Sequence, residues 1–423
     1  MIRRHSPLRN LKNNSLFLLF PWKLRICFFL LLGLTFFLSA CDNDDPEPGK
    51  GKGTRTVLAY IMADNNLSKF SADDINEMME GMKQVNASGC NLLVYTDEQY
   101  STPVLYHIYK NKKGIVQKEA IREYEEQIST DAAVMQEVIQ RAFSEYPADS
   151  YGLIIWSHGE GWIPSPLPVK KNVSTRWIGQ DTTDGTHYLN ITDMASVFET
   201  VPHLDFILFD ACFGQSIEVA YELRKYTDYI IGSPTEIPGP GASYDKVVPA
   251  MFKEANVGIE IGKAYYEPYE AKYTGAIPSD NSNWTGGVSV SVINCAALEE
   301  LASVTKQTLT EVERNTLLNG NLFDYDKRSK YSSGYVGYYD MKQLMQYLSA
   351  DMNAWTSVAD DVIIYWRSTP QNFSGIIQSM FPLPQEATCG MSHYIPVFPT
   401  SAATTAYRST AWYEAAGLSK LNW

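Results

Sequence analysis

The sequence is poor in basic charge: 35 Lys and Arg stand against 48 Asp and Glu, leaving −13. Six of the basic residues (Arg3, Arg4, Arg9, Lys12, Lys23, Arg25) and no acid lie in the first 40 positions. The rest of the chain therefore holds 29 basic against 48 acidic residues. An acidic body excludes nucleic acid as a partner, because phosphate binding needs Lys and Arg to displace counterions. Cysteine is also scarce, six in 423 residues, with no C-x-x-C pair. That excludes a zinc-finger type of site and a disulfide framework. No apolar run is long enough to cross a bilayer. Ile26 to Leu38, broken only by Gly33 and Thr35, spans about 20 Å as a helix against a ~30 Å hydrocarbon core. Neither G-x-x-x-x-G-K-[ST] nor H-E-x-x-H occurs, which removes P-loop and zincin chemistry. What is present is a globular composition, 45% hydrophobic and 13% aromatic. Disorder, collagen and a coiled coil are excluded as the main architecture.

The basic start and the short apolar run are the n-region and h-region of a secretory signal. The run ends in Leu38-Ser39-Ala40-Cys41, which resembles a bacterial lipoprotein signal-peptidase box with Cys41 as the lipidated residue. An ordinary signal with an incidental cysteine is the alternative. Residues 42–48 are acids, Asn and Pro, and 49–53 alternate Gly and Lys. Such a stretch is a solvated tether. An acidic segment just after the lipid cysteine is similar to the surface-export signal of lipoproteins in the Bacteroides group. That resemblance implies an outer-membrane lipoprotein, with the cell surface as its destination. The organisation expected is a signal over 1–40, a tether over 41–54, a main domain over 55–270 and a C-terminal region over 271–423 packed on it.

Short buried strands are expected at Thr56–Met62, Asn91–Thr96, Tyr151–Trp156, Leu204–Phe209 and Tyr229–Ile231, from their β-branched, apolar character. Val104–Tyr109 alternates and is expected in a hairpin at a sheet edge. Helical spacing covers Leu67–Val85, the stretch capped by Thr130-Asp131, and Ser216–Lys225. Strands alternating with helices predict an α/β sandwich with a largely parallel sheet. Beyond Ala271 the expectation is looser: a strand at Val288–Val292, helices at Cys295–Glu313, Met341–Leu348, Asn353–Trp366 and Thr410–Ala416, and a strand at Ser392–Val397.

In open parallel sheets, functional groups gather at the carboxyl ends of strands. His158 directly follows one buried strand and stands between Ser157 and Gly159. Cys212 directly follows another, 54 residues later, just before a helix start at Ser216. A thiolate nucleophile needs its pKa lowered by a histidine, a helix N-terminus or both. Adjacent parallel strands would bring His158 and Cys212 together for acyl transfer, with the backbone N–H groups of Gly159 and Cys212 cradling the oxyanion. Each residue alone reads equally as structural, a small core cysteine or a hydrogen-bonded histidine.

Ala59-Tyr60-Ile61-Met62-Ala63-Asp64-Asn65-Asn66-Leu67, Trp156-Ser157-His158-Gly159-Glu160-Gly161-Trp162 and Phe209-Asp210-Ala211-Cys212 resemble the clostripain-like cysteine peptidases, which share the caspase, gingipain and legumain fold. The resemblance runs from about residue 55 to 250. It implies a His158–Cys212 dyad without an obvious third member, and cleavage of proteins or peptides after Arg or Lys. It gives Asp210 a share of the pocket for that side chain and lets Glu236 add charge. A strand-end carboxylate satisfied by backbone donors is the other reading of Asp210. The resemblance further implies self-cleavage between the histidine and the cysteine. Ile163–Trp177, with Lys170, Lys171 and Arg176, offers basic cut sites, or is a surface loop. Calcium enters through the same resemblance, with Asp181-Thr182-Thr183-Asp184-Gly185 as its loop, although a plain turn fits that segment better. One departure stands out. Relatives carry Pro-Gly-Asp-Gly-Trp where this chain has Pro238-Gly239-Pro240-Gly241-Ala242, so a carboxylate and an aromatic are missing beside the substrate. A surface lipoprotein that keeps the fold as an inactive binding module is the second reading.

Overall fold

The computed structural model describes residues 52–164, 177–278, 284–330, 335–398 and 400–423. Cys41, Lys170, Lys171 and Arg176 lie outside the described residues.

A nine-stranded sheet organises the body. Its strands are β1 (Gly53–Ala63), β2 (Cys90–Glu98), β3 (Val104–Lys110), β4 (Val116–Glu123), β5 (Ala148–Trp156), β6 (Leu204–Asp210), β7 (Thr227–Gly232), β8 (Ser289–Asn294) and β9 (Ile363–Ser368). Their order across the sheet is β9-β8-β7-β6-β5-β1-β2-β3-β4. The five strands from β7 to β2 run parallel, and the pairs outside them are antiparallel. Strand β1 shows why these segments read as continuous apolar runs. Leu58, Tyr60 and Met62 enter the core on one face of the sheet, and Val57, Ala59 and Ile61 enter the core on the other. A central strand covered on both sides has no polar face to alternate with.

Helices supply both covers. Helices α1 (Ser68–Met82), α5 (Tyr244–Met251) and α6 (Val257–Lys272) pack on one face through Phe70, Ile75, Met78, Val247 and Ile261. On the other face lie α2 (Ala132–Glu145), α3 (Ile191–Phe198) and α4 (Ile217–Leu223), joined by α7 (Leu298–Thr308), α8 (Met341–Leu348) and α9 (Met352–Val362). Met135, Met194, Val219, Leu301, Leu344 and Trp355 fill that layer. The α/β/α sandwich expected from the sequence is present. The described residues from Lys52 onward form one compact unit, and β8 and β9, from beyond residue 271, complete its sheet.

Three expectations are corrected. Strand β3 is not at the edge, because β4 pairs outside it. The helix expected over Asn353–Trp366 ends at Val362, and the chain then becomes β9; Tyr365 and Trp366 pair with β8 instead. The helix expected over Cys295–Glu313 ends at Thr308, where Leu309 bridges to Ser349. Helices α5 and α6 carry Pro249 and Pro268 inside them, which erases their local signal until tertiary packing overrides it. Among the described residues no helix is long and apolar enough to cross a membrane.

Candidate active site

The site is built by register. In the β5–β6 pair, Trp156 stands opposite Asp210. Two residues beyond each stand His158 and Cys212, so both side chains emerge at the carboxyl ends of neighbouring parallel strands. The two loops touch: a Cβ on Gly159 would lie 2.5 Å from the Cys212 carbonyl oxygen. Only glycine permits that approach. Phe213 takes a left-handed φ of 56° to turn the chain away after the cysteine. Ser216 then caps α4, its hydroxyl accepting from Val219 N–H.

His158 and Cys212 line one cleft of about 850 Å³, together with Glu160, Asp210, Glu236 and Ile237. Gly159 and Cys212 donate no backbone hydrogen bond among the described residues, so both amides are available to an oxyanion. Ile237 N–H donates to Cys212 Sγ at 3.4 Å. Burial raises the Cys212 thiol to about 12, with the Glu236 carboxylate adding to the effect. Burial also lowers the His158 pKa, partly offset by Glu160. The resting pair is therefore a neutral thiol and a neutral imidazole at pH 7.

Asn66 is the residue that sequence reasoning missed. Its Oδ1 lies 2.5 Å from His158 Nε2. A carbonyl oxygen only accepts, so Nε2 carries the proton and Nδ1 keeps the lone pair. Asn65 shapes the turn that presents Asn66, donating to Met62 O and Gln180 O and accepting from Leu67 N–H. Ser157 ties the ends of β1 and β5 through Met62 O. The Asp64-Asn65-Asn66 run directly follows β1 in the sequence, but nothing local says which amide faces the histidine.

Asp210 is buried at the floor of the cleft. Its Oδ2 accepts from Ala242 N–H at 3.0 Å and Tyr244 Oη at 2.7 Å, and its Oδ1 accepts from Tyr265 Oη at 2.7 Å. Burial raises its pKa, against these three donors. A carboxylate has about four acceptor positions, so one remains. Glu236 is also buried, held by the Ser374 hydroxyl and Ile376 N–H. The 181–185 segment is a turn whose Asp181 carboxylate is engaged by Ser129 and Thr183. Among the described residues no three acidic, His or Cys side chains are grouped to hold a metal ion. The four described cysteines, Cys90, Cys212, Cys295 and Cys389, are free thiols.

An α/β/α sandwich with a cysteine and a histidine at the ends of adjacent parallel strands defines a caspase-like cysteine-protease class. Within it, the clostripain family model, Peptidase C11, matches residues 59–381. The chain belongs to the clostripain family of cysteine proteases. It is 40% identical to a secreted C11 cysteine protease from Bacteroides thetaiotaomicron, solved with an irreversible peptide inhibitor; the match covers 87% of this chain and 99% of that one, with a TM-score of 0.77. It is 28% identical to an inactive zymogen C11 protease from Parabacteroides distasonis, covering 86% and 99%, with a TM-score of 0.72. Clostripain of Hathewaya histolytica is 28% identical over 220 residues, which are 45% of this chain and 41% of clostripain. The chain thus matches about two fifths of the length of that curated relative.

Proposed function

We propose that the protein is an exported cysteine endopeptidase working through Cys212 and His158. The observation that carries this reading is their convergence on one cleft beside two free backbone amides. Cys212 Sγ attacks the scissile carbonyl while its proton passes to His158 Nδ1, the lone-pair nitrogen that Asn66 leaves exposed. The oxyanion takes the N–H groups of Gly159 and Cys212. His158 then gives its proton to the leaving amine, and water, deprotonated by His158, releases the acyl group. Asp210 puts its remaining acceptor position at the cleft floor for an Arg or Lys side chain. Pro240, where relatives carry a carboxylate, leaves Asp210 without a second acid there.

The raised Cys212 thiol fits an uncut chain held latent, and the zymogen state of the Parabacteroides relative supports the same reading. Cleavage within 163–177 at Lys170, Lys171 or Arg176 would then release activity. Cys41, following its signal, anchors the protein by lipid to the outer membrane; a Cys41→Ser variant is expected in the soluble fraction. The second reading, an inactive binding module, draws on the Pro238–Ala242 change alone. A peptide-based thiol reagent separates the two. Labelling of Cys212 that is lost in His158→Ala supports the peptidase, and an unlabelled Cys212 in both cut and uncut protein supports the module.

A further inference from the structure

The segment after β7 acts through two opposite sides. Its backbone zips against the nucleophile loop: Gln215 N–H donates to Ser233 O at 3.1 Å, Phe213 N–H to Thr235 O at 3.0 Å, and Ile237 N–H to Cys212 Sγ. Between these contacts Glu236 turns its carboxylate the other way, to a hairpin of β10 (Gln371–Ser374) and β11 (Ser379–Pro382). The Ser374 hydroxyl meets one oxygen, and Ile376 N–H meets the other at 3.1 Å. Glu236 is only 9% exposed, whereas Ile376 is 44% exposed and lines the cleft. Beyond Ile237 the chain is Pro238-Gly239-Pro240-Gly241, with two prolines that have no N–H and a Gly241 at φ 61°.

We propose that Glu236 is a positioning residue: it clamps segment 233–237 to the hairpin, so that Ile237 N–H stays on Cys212 Sγ and stabilises the sulfur as it loses its proton. This rests on the peptidase reading. It differs from giving Glu236 to the substrate, because the carboxylate acts here through the hairpin donors on its two oxygens. The charged and titratable groups around Cys212 are His158 and Glu160 from the loop after β5, Asp210 from β6, and Glu236, which Arg328 faces.

The test is alkylation of Cys212 by iodoacetamide across pH, followed by peptide mass on the full chain. The reagent is small and neutral, so it needs no substrate subsite; the thiolate displaces iodide. In Glu236→Gln the loss of the tie is expected to outweigh the loss of the charge that raises the thiol, so that alkylation at a fixed pH slows about tenfold. Ser374→Ala, which keeps the charge and removes one tie, is expected to move the same way by less. A downward shift in Glu236→Gln means that the carboxylate acts only by charge, and overturns the clamp. An unchanged titration with a raised KM for Arg peptides means that it binds substrate, and also overturns it. If the parent turns over peptides, the clamp alone has failed. A Cys212 that never reacts in the parent overturns the peptidase reading and the clamp with it.

Discussion

Each residue at the site has a job that its chemistry limits. On the proposed mechanism Cys212→Ala removes the nucleophile and His158→Ala the base, so both are expected to abolish turnover while leaving thermal unfolding unchanged. Cys90→Ala, Cys295→Ala and Cys389→Ala are expected to keep activity; loss of turnover in any of them would move the nucleophile elsewhere. On the proposed mechanism Asn66 acts through His158, whose Nε2 lies 2.5 Å from its Oδ1. An unoriented base forfeits part of the ~10²–10⁴ that general base catalysis supplies, so Asn66→Ala is expected to lower kcat at least about tenfold. The pH profile checks this. A changed limb assigned to His158 supports orientation, whereas a raised KM with unaltered kcat contradicts it. That His158, Gly159 and Cys212 meet at neighbouring strand ends was legible because strand, glycine and reactive residue are contiguous in sequence. Asn66 and the Glu236–Ser374 contact were not, since they join segments that only the folded sheet brings together.

At the scale of elements, β2 carries an untapped store of instability. Asp97 stands opposite Met62 of β1, fully buried, and the Ser129 hydroxyl lies close enough to offset part of the cost of burying it, though not in good hydrogen-bond geometry. Burial raises its pKa to about 8, with Asp181 adding to the effect. An unfolded Asp titrates near 4. The native state therefore holds a proton that the unfolded chain releases, and folding stability from this group falls as pH rises from about 4 to 8. Asp97→Asn cannot titrate. Its melting temperature is expected to gain on the parent as pH goes from 5 to 8; a gain that is the same at both ends would mean that Asp97 is paired. The central strands were legible as apolar runs because they are covered on both faces. Strand β9 was not: Tyr365 and Trp366 continue the helical spacing of α9, and only pairing with β8 decides their state. Helices α5 and α6 were hidden by their internal prolines.

For the whole molecule, charge and latency matter most. A body of 29 basic and 48 acidic residues attracts basic peptides at long range, an effect screened beyond about 8 Å at physiological salt. KM for Arg- or Lys-containing peptides is therefore expected to rise with salt while kcat holds. The sandwich was legible from the alternation of strands and helices. That residues 289–294 and 363–368 complete the same sheet was not, because antiparallel margins depend on contacts far apart in the chain.

The most direct measurement is hydrolysis of short fluorogenic peptides by the purified protein, with intact mass followed in parallel, in the parent and in Cys212→Ala. The expected result is cleavage after Arg or Lys in the parent, with the chain splitting within 163–177, and neither event in Cys212→Ala. Cleavage that persists in Cys212→Ala, or a parent that cuts no peptide even after 163–177 has been opened by an added protease, would contradict the Cys212–His158 mechanism.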